Sequence, residues 1–342
     1  MVLITGATGL VGSHLLYLLI SKGESVRAIY RKKSNLDAVK NVFSYYTKEY
    51  EALFNKIEWF EADITDVPSL KNAFSNINFV YHCAAIVSFD KKDYFTMRKT
   101  NIEGTANMVN LSIANKTTKF CYVSSIATIE KSTKKDELIT ETNEWNTETN
   151  NYGYAITKYG AEMEVWRASQ EGLDVVMVNP GVILGAGFWH SGPGELFTKA
   201  YNNFKFYTEG VTGFVSVKDV AKAMLILMKS EIKNERFILV SANISFKEVF
   251  FKMADAFGSK PPTIKVGKTL SNIAWRLEWC KSLLTGKSPM ITKHSASASL
   301  STYRYAAKKI EKALNFEFEN IEITIKDVAT DFLKDVNNGK KR

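Results

Sequence analysis

The sequence predicts an α/β protein built on a doubly wound parallel sheet, with a smaller, mostly helical C-terminal lobe. Two observations predict it. Through the first half of the chain, short apolar runs alternate with amphipathic stretches long enough for a helix, the pattern of strand–helix–strand crossovers. Most of the runs are also apolar throughout, not only at every second residue, as strands covered on both faces should be.

The elements follow in order. Strands are expected at Val2–Thr5, Ser25–Tyr30, Ile57–Asp63, Phe79–Cys83, Lys119–Ser124 and Asp174–Asn179, with Glu58 and Glu61 interrupting the third. A long helix is expected at about Asp93 to Ala114. Another runs from Tyr152 to Glu171 and ends at Gly172, a suitable glycine for a left-handed C-terminal turn. After Gly185 the pattern loosens, and Gly187, Gly192, Pro193 and Gly194 mark an irregular loop. Order returns at Phe214–Val220, leading into a helix through Lys229, and Arg236–Val240 reads as a further strand. Ser245-Phe246-Lys247-Glu248 is a capping box opening a helix to Phe257, closed by Gly258. Pro261-Pro262 breaks the chain. From Lys268 onward it is helical or irregular, with Trp275 and Trp279 on one face. The expected division is a sheet domain of residues 1–185 plus 213–245 and a lobe of residues 186–212 plus 246–342.

Composition limits the partners. A chain of 342 residues buries a large core. The formal charge of +9, partly from Lys340-Lys341-Arg342, suits an anionic ligand. No basic stripe with interleaved aromatics calls for nucleic acid. The first strand begins at residue 2, and the apolar run Leu15–Ile20 is too short to span a bilayer. A cytoplasmic protein without a membrane partner is therefore expected. Cys83, Cys121 and Cys280 form no CxxC, which suits thiols in a reducing compartment. His14, His82 and His294 show no ligand spacing, so no metal is expected, and His190 in the glycine-rich loop reads as a surface residue.

Two motifs carry the chemistry. The first is the turn Thr5-Gly6-Ala7-Thr8-Gly9-Leu10-Val11-Gly12, which follows a strand and opens a helix. Gly6 allows the tight turn, Gly9 lets a pyrophosphate approach the backbone, and Gly12 lets the helix pack closely. The helix N-terminus then offers free N–H groups to the phosphates. The spacing is GxxGxxG instead of GxGxxG, in the strand–turn–helix context that a dinucleotide site requires. At the end of the second strand, an acid for the ribose 2′-hydroxyl of NAD(H) is missing. Arg31-Lys32-Lys33 stands there instead, and a 2′-phosphate would find charge-assisted donors, Arg31 first. NADP(H) is the preferred cofactor, with NAD(H) as the alternative.

The second motif is Tyr154-Ala155-Ile156-Thr157-Lys158. A free tyrosine titrates near 10. Lys158, one helical turn away on the same face, is expected to favour the phenolate and lower that value. Ser125, at the carboxyl end of the fifth strand, points into the crevice where ligands bind and can hydrogen-bond a substrate oxygen. A proton donor, a fixed cation and a dinucleotide site together indicate hydride transfer at a carbon bearing oxygen.

These residues, with Asp63-Ile64, His82-Cys83-Ala84-Ala85, Asn101, Ser124-Ser125 and Asn179-Pro180-Gly181, resemble the extended short-chain dehydrogenase/reductase superfamily, in its NAD-dependent epimerase/dehydratase group. The resemblance covers about residues 1–245 and implies a Rossmann-type fold. It implies that Ser125, Tyr154 and Lys158 are catalytic and that Lys158 also bonds the nicotinamide ribose. It further implies that Gly6, Thr8, Gly9, Leu10, Val11 and Gly12 hold the cofactor, that Asp63 and Ile64 flank its adenine, and that Ala84 and Ala85 lie near its ribose. Asn101 would organise the active-site helix and Pro180, Gly181 and Val182 would contact the nicotinamide. Packing of the two long helices against their copies implies a homodimer, for which Met163, Val165 and Trp166 offer apolar surface.

Two departures narrow the branch. Ile126-Ala127 stands where dehydratases carry an Asp-Glu pair, and Thr212-Gly213-Phe214-Val215 lacks the arginine of sugar-nucleotide epimerases. The chain looks more like the dihydroflavonol-reductase and 3β-hydroxysteroid-dehydrogenase-like branch, whose substrates are apolar ketones and aldehydes. The expected partner is thus a small carbonyl or alcohol. Phe188, Trp189, Phe197, Phe204, Phe206, Trp275 and Trp279 are either pocket or core. An epimerase with tightly held NAD is the alternative, and a protein that only binds the dinucleotide is a third reading, disfavoured by intact Ser125, Tyr154 and Lys158.

Overall fold

The computed structural model describes residues 1–130, 137–147, 151–286, 289 and 291–339. Its strands of three residues or more are β1 (Val2–Thr5), β2 (Val26–Tyr30), β3 (Glu58–Glu61), β4 (Phe79–His82), β5 (Lys119–Val123), β6 (Asp174–Pro180), β7 (Val182–Leu184), β8 (Val211–Ser216), β9 (Glu235–Leu239) and β10 (Ala242–Ser245). Seven of them form one parallel sheet in the order β9-β6-β5-β4-β1-β2-β3. The order reverses beside β1, which is the doubly wound arrangement expected. β10, β8 and β7 make a second, three-stranded sheet.

The helices that matter here are α1 (Leu10–Ser21), α2 (Leu36–Tyr46), α3 (Gly104–Ala114), α4 (Gly153–Gln170), α5 (Val217–Lys229), α6 (Phe246–Phe257), α7 (Lys268–Thr285), α8 (Lys293–Ala298), α9 (Lys308–Leu314) and α10 (Ile321–Asn337). Successive strand residues point to opposite faces. Val2 and Ile4 accordingly enter a core with α1, α5 and α9, while Leu3 enters another with α3 and α4. This two-sided burial is why the strands read as unbroken apolar runs. The third run shrinks to Glu58–Glu61 because β3 is the sheet edge, where both glutamates are exposed. In the lobe, α6 and α10 close over Trp189, Phe197 and Phe214. Ala307, Ile310 and Phe316 belong instead to the core of the large sheet.

The capping box and stop glycines behave as their sequence patterns require. The Ser245 hydroxyl accepts from Glu248 N–H at 3.1 Å, and α6 ends at left-handed Gly258 with φ +62°. Gly172, with φ +94°, follows α4. The helix expected from Asp93 to Ala114 is not uniform. An α turn, Tyr94–Met97, runs into a π-helical segment, Arg98–Glu103, before α3. Such segments often mark functional positions, and this one contains buried Asn101. The dimer surface expected on α4 is smaller than its sequence implied. Val165 is fully buried and Trp166 packs against the same core, leaving Met163 exposed.

Candidate functional site

Because the large sheet is parallel, the carboxyl ends of its strands lie along one edge. Gly6 follows β1, Arg31 follows β2, Asp63 follows β3, Ala84 and Ala85 follow β4, Ser125 follows β5, and Pro180 ends β6. The crevice beyond that edge is where an open α/β sheet takes a ligand.

The glycine turn is built for close approach. Gly6 has φ +67°, and a Cβ there would sit 2.6 Å from Ala84 N. A Cβ at Gly12 would lie 2.2 Å from Gly6 O, so the close packing that this glycine allows is against the turn itself. Gly9 differs, because a Cβ there would meet only Gly6 O, at 3.4 Å. The protein leaves room at Gly9, so its use is in keeping the space in front of the helix clear. Gly9 caps α1 without a side-chain hydrogen bond, and a helix start exposes N–H groups that lack intrahelical partners. Those features fit a dinucleotide diphosphate. Arg31, Lys32 and Lys33 are exposed beyond β2, and the Arg31 N–H donates to Ser34 Oγ at 3.0 Å, shaping the turn. Asp63 Oδ1 accepts from the backbone N–H and the hydroxyl of Thr65, each at 2.8 Å.

Tyr154 lies in the first turn of α4. Ser125 stands close enough to act on its phenol, and the Ser125 hydroxyl accepts from Ala127 N–H at 3.1 Å. Asn101 clamps this region. Its side chain exchanges hydrogen bonds with the backbone of Ile86 at 2.8 and 3.0 Å and donates to Thr157 Oγ1 at 3.1 Å. Thr157 in turn donates to Tyr154 O at 2.9 Å. The π segment carrying Asn101 therefore fixes the loop after β4 and the start of α4 together.

Lys158 is buried one turn deeper. Its Nζ donates to Tyr122 OH and Val123 O, both at 2.6 Å, and lies 4.2 Å from the centre of the Tyr122 ring. Burial lowers its pKa to about 7, against an opposing pull from Glu162. The expected lowering of the Tyr154 phenol by Lys158 does not hold. Burial raises Tyr154, and the group opposing that rise is Ser125. Burial is the larger effect on the phenol, while Lys158 directs two of its donors to Tyr122 and Val123.

Below Lys158, on the same face of α4, is Glu162, which is fully buried. Its Oε2 accepts from Ser124 Oγ and Thr128 Oγ1, each at 2.7 Å, and from Asn179 Nδ2 at 3.2 Å. Its Oε1 accepts from Arg236 Nη1 at 2.9 Å. Neither Glu162 nor Arg236 was singled out from the sequence. The available signal was spacing, because Tyr154, Lys158 and Glu162 recur every four residues.

The other expected positions separate clearly. Trp189 and Phe197 are core, and the Trp189 indole donates to Asp335 Oδ2 at 2.8 Å. His190 is exposed. The aromatics beside Tyr154 are instead Phe89 and Tyr152, with ring centres 6.4 and 6.1 Å away, and His294 of α8 lies 5.8 Å from Tyr152. Among the described residues no His, Cys, Asp or Glu cluster could hold a metal, and no helix is long and apolar enough to cross a membrane.

The NAD-binding family described as male sterility protein matches residues 4–248. A putative dihydroflavonol 4-reductase of Synechocystis is 27% identical, covering 95% of this chain and 92% of its own. Cinnamoyl-CoA reductase 2 of Medicago truncatula is 28% identical over 76% of this chain and 77% of its own. The crystal structure of a yeast methylglyoxal/isovaleraldehyde reductase complexed with NADPH superposes with a TM-score of 0.75, at 21% identity, covering 98% of this chain and 99% of that one.

Proposed function

This chain belongs to the extended short-chain dehydrogenase/reductase superfamily, in the NAD-binding family described as male sterility protein, and from that membership we propose that it reduces a ketone or aldehyde, or oxidises the matching alcohol. The observation that carries the reading is the Ser125–Tyr154 pair at the mouth of the crevice, with Lys158 buried one turn beneath. The bound nicotinamide supplies or accepts the hydride. Gly6, Thr8, Gly9, Leu10, Val11 and Gly12 hold its diphosphate. Asp63, Ile64, Ala84 and Ala85 flank the adenosine side, and Asn101, Pro180, Gly181 and Val182 frame the nicotinamide side.

The chain's own groups handle the oxygen and its proton. Ser125 Oγ–H holds the substrate oxygen. Tyr154 is kept protonated by burial, which suits a proton donor in the reducing direction. The Lys158 ammonium then offsets the charge left on the phenol as the proton departs. Phe89, Tyr152 and His294 give the mouth an aromatic wall, which favours an apolar substrate. NADP(H) is the preferred cofactor, through exposed Arg31 and the absence of an acid after β2. The named reductases among the relatives, one fold neighbour being complexed with NADPH, support that direction and that cofactor. A homodimer through the α3 and α4 face belongs to the same reading, and sedimentation at micromolar concentration tests it.

The deciding experiment is a panel of aldehydes and ketones offered with NADPH or NADH, followed by nicotinamide absorbance. Consumption of NADPH with an apolar carbonyl is expected. No net consumption with any member, together with copurifying NAD, would move the assignment to an epimerase.

A further inference from the structure

Helix α7 is packed inside out. The residues it turns to the protein are Ser271 and Ser282, both buried, with Ala274, Trp275 and Glu278 half-buried beside them. Leu270, Ile273, Leu277 and Leu284 form a stripe at helical spacing on the other side. Their exposure rises along the helix, from 42% at Leu270 to 65% at Leu277 and 88% at Leu284. Trp279 and Leu283 are also exposed, on the flank beyond Arg276. Soluble surfaces rarely leave so continuous an apolar patch uncovered.

Charge identifies the cover. Residues 259–304 contain eight lysines and arginines and one acid, Glu278, a local charge of +7 in a chain whose total is +9. At 3.6 residues per turn, Lys281 and Arg276 flank the apolar stripe on its two sides. An amphipathic helix with leucines and an isoleucine on one side and cations at its borders is the composition that lies in the headgroup region of an anionic bilayer. A second copy fits poorly, because a two-fold contact places the same patch on both partners and would set the two +7 segments against each other.

We infer that α7 is an interfacial helix that seats this protein on an anionic membrane surface, lying in its plane without crossing it. The placement is consistent with the absence of a membrane-crossing helix among the described residues. α7 packs against α8, whose His294 stands 5.8 Å from Tyr152 at the crevice mouth. The docked face is thus one short helix from the mouth. If the carbonyl-reductase reading holds, an apolar substrate reaches Tyr154 from the bilayer, but the seat itself does not depend on that reading.

The test is flotation of the full chain with vesicles of phosphatidylglycerol and phosphatidylcholine in equal parts, and with phosphatidylcholine alone. Binding to the anionic vesicles, weakened by added NaCl, is expected. The double substitution Leu277→Glu with Leu284→Glu should lower partitioning at least about tenfold, since two exposed apolar side chains become carboxylates. Its melting temperature and its turnover of a water-soluble carbonyl should match wild type. Lys268→Ser with Lys281→Ser, which leaves the apolar stripe intact, should weaken binding to the anionic vesicles alone. Wild type remaining unbound, equal binding to both vesicle types, or unchanged binding by the leucine variant would each overturn the inference. So would a wild-type dimer that the leucine variant converts to monomer without any vesicle binding, which would give the stripe to a second copy.

Discussion

Arg236 reaches from β9 to place Nη1 2.9 Å from Glu162 Oε1, and this pair closes the base of the helix face that carries Tyr154 and Lys158. The carboxylate is fully buried and the guanidinium nearly so. Arg236 also donates to the backbone carbonyls of Glu141 and Asn143, at 2.6 and 3.1 Å from Nη2. One side chain therefore ties the edge strand β9, the active-site helix and the segment before it. Removing one member of a buried pair leaves the other uncompensated, at a cost of about 3–5 kcal/mol. Arg236→Met should lower unfolding free energy by roughly that amount in a denaturant titration. A loss of less than about 1 kcal/mol would mean that water reaches Glu162 and replaces the arginine.

Tyr154→Phe keeps the ring and removes the proton donor. Turnover should fall by about 10²–10⁴, with cofactor affinity close to wild type. Retention of more than about a tenth of the activity would give the proton step to another group. Tyr152, whose ring centre lies 6.1 Å from that of Tyr154, is the weaker candidate because Ile156 stands four residues after it, where Tyr154 has Lys158.

Lys158 makes the rate depend on pH. Its ammonium loses its proton at about 7 instead of the ordinary 10.5, because it is buried. If the charge assists reduction, kcat/KM falls as pH rises through about 7, and Lys158→Met lacks that limb. Stability moves the other way. Between about 7 and 10.5 the unfolded chain binds a proton that the folded chain does not, so wild type gains stability relative to Lys158→Met as pH rises. The variant should also bind cofactor more weakly. Two parallel stability curves across this range would show that Lys158 is protonated throughout.

Arg31 sets the cofactor ratio. A guanidinium matches a phosphate with two parallel donors, and hydrogen bonds to charged groups contribute roughly 1.5–3 kcal/mol. Arg31→Asp removes that contact and repels the 2′-phosphate, so affinity for NADPH should drop at least about tenfold to a hundredfold. Exposed Lys32 and Lys33 soften the loss. The readout is the ratio of kcat/KM for NADPH and NADH in wild type and variant. A wild-type preference for NADH, or a ratio that does not move, would leave Arg31 as a solvated loop residue.

Strand–helix alternation, the glycine turn and the Tyr154/Lys158 spacing are legible from the residues alone, because each is local. Two-sided burial shows as an unbroken apolar run, as in Lys119–Val123, and a turn that must pass within 2.6 Å of Ala84 N requires glycine at position 6. Where each local feature faces depends on packing between distant segments. Glu162 and Arg236 are 74 positions apart and meet only because β9 lies beside β6 in the sheet. The partners of Lys158 come from β5, and burial, not the lysine, sets the direction in which the Tyr154 pKa moves. The stripe Leu270, Ile273, Leu277 and Leu284 was present in the sequence as a helical pattern. Periodicity specifies that a helix has two faces. Only packing, which put Ser271 and Ser282 inward, decided that the apolar one points away from the protein.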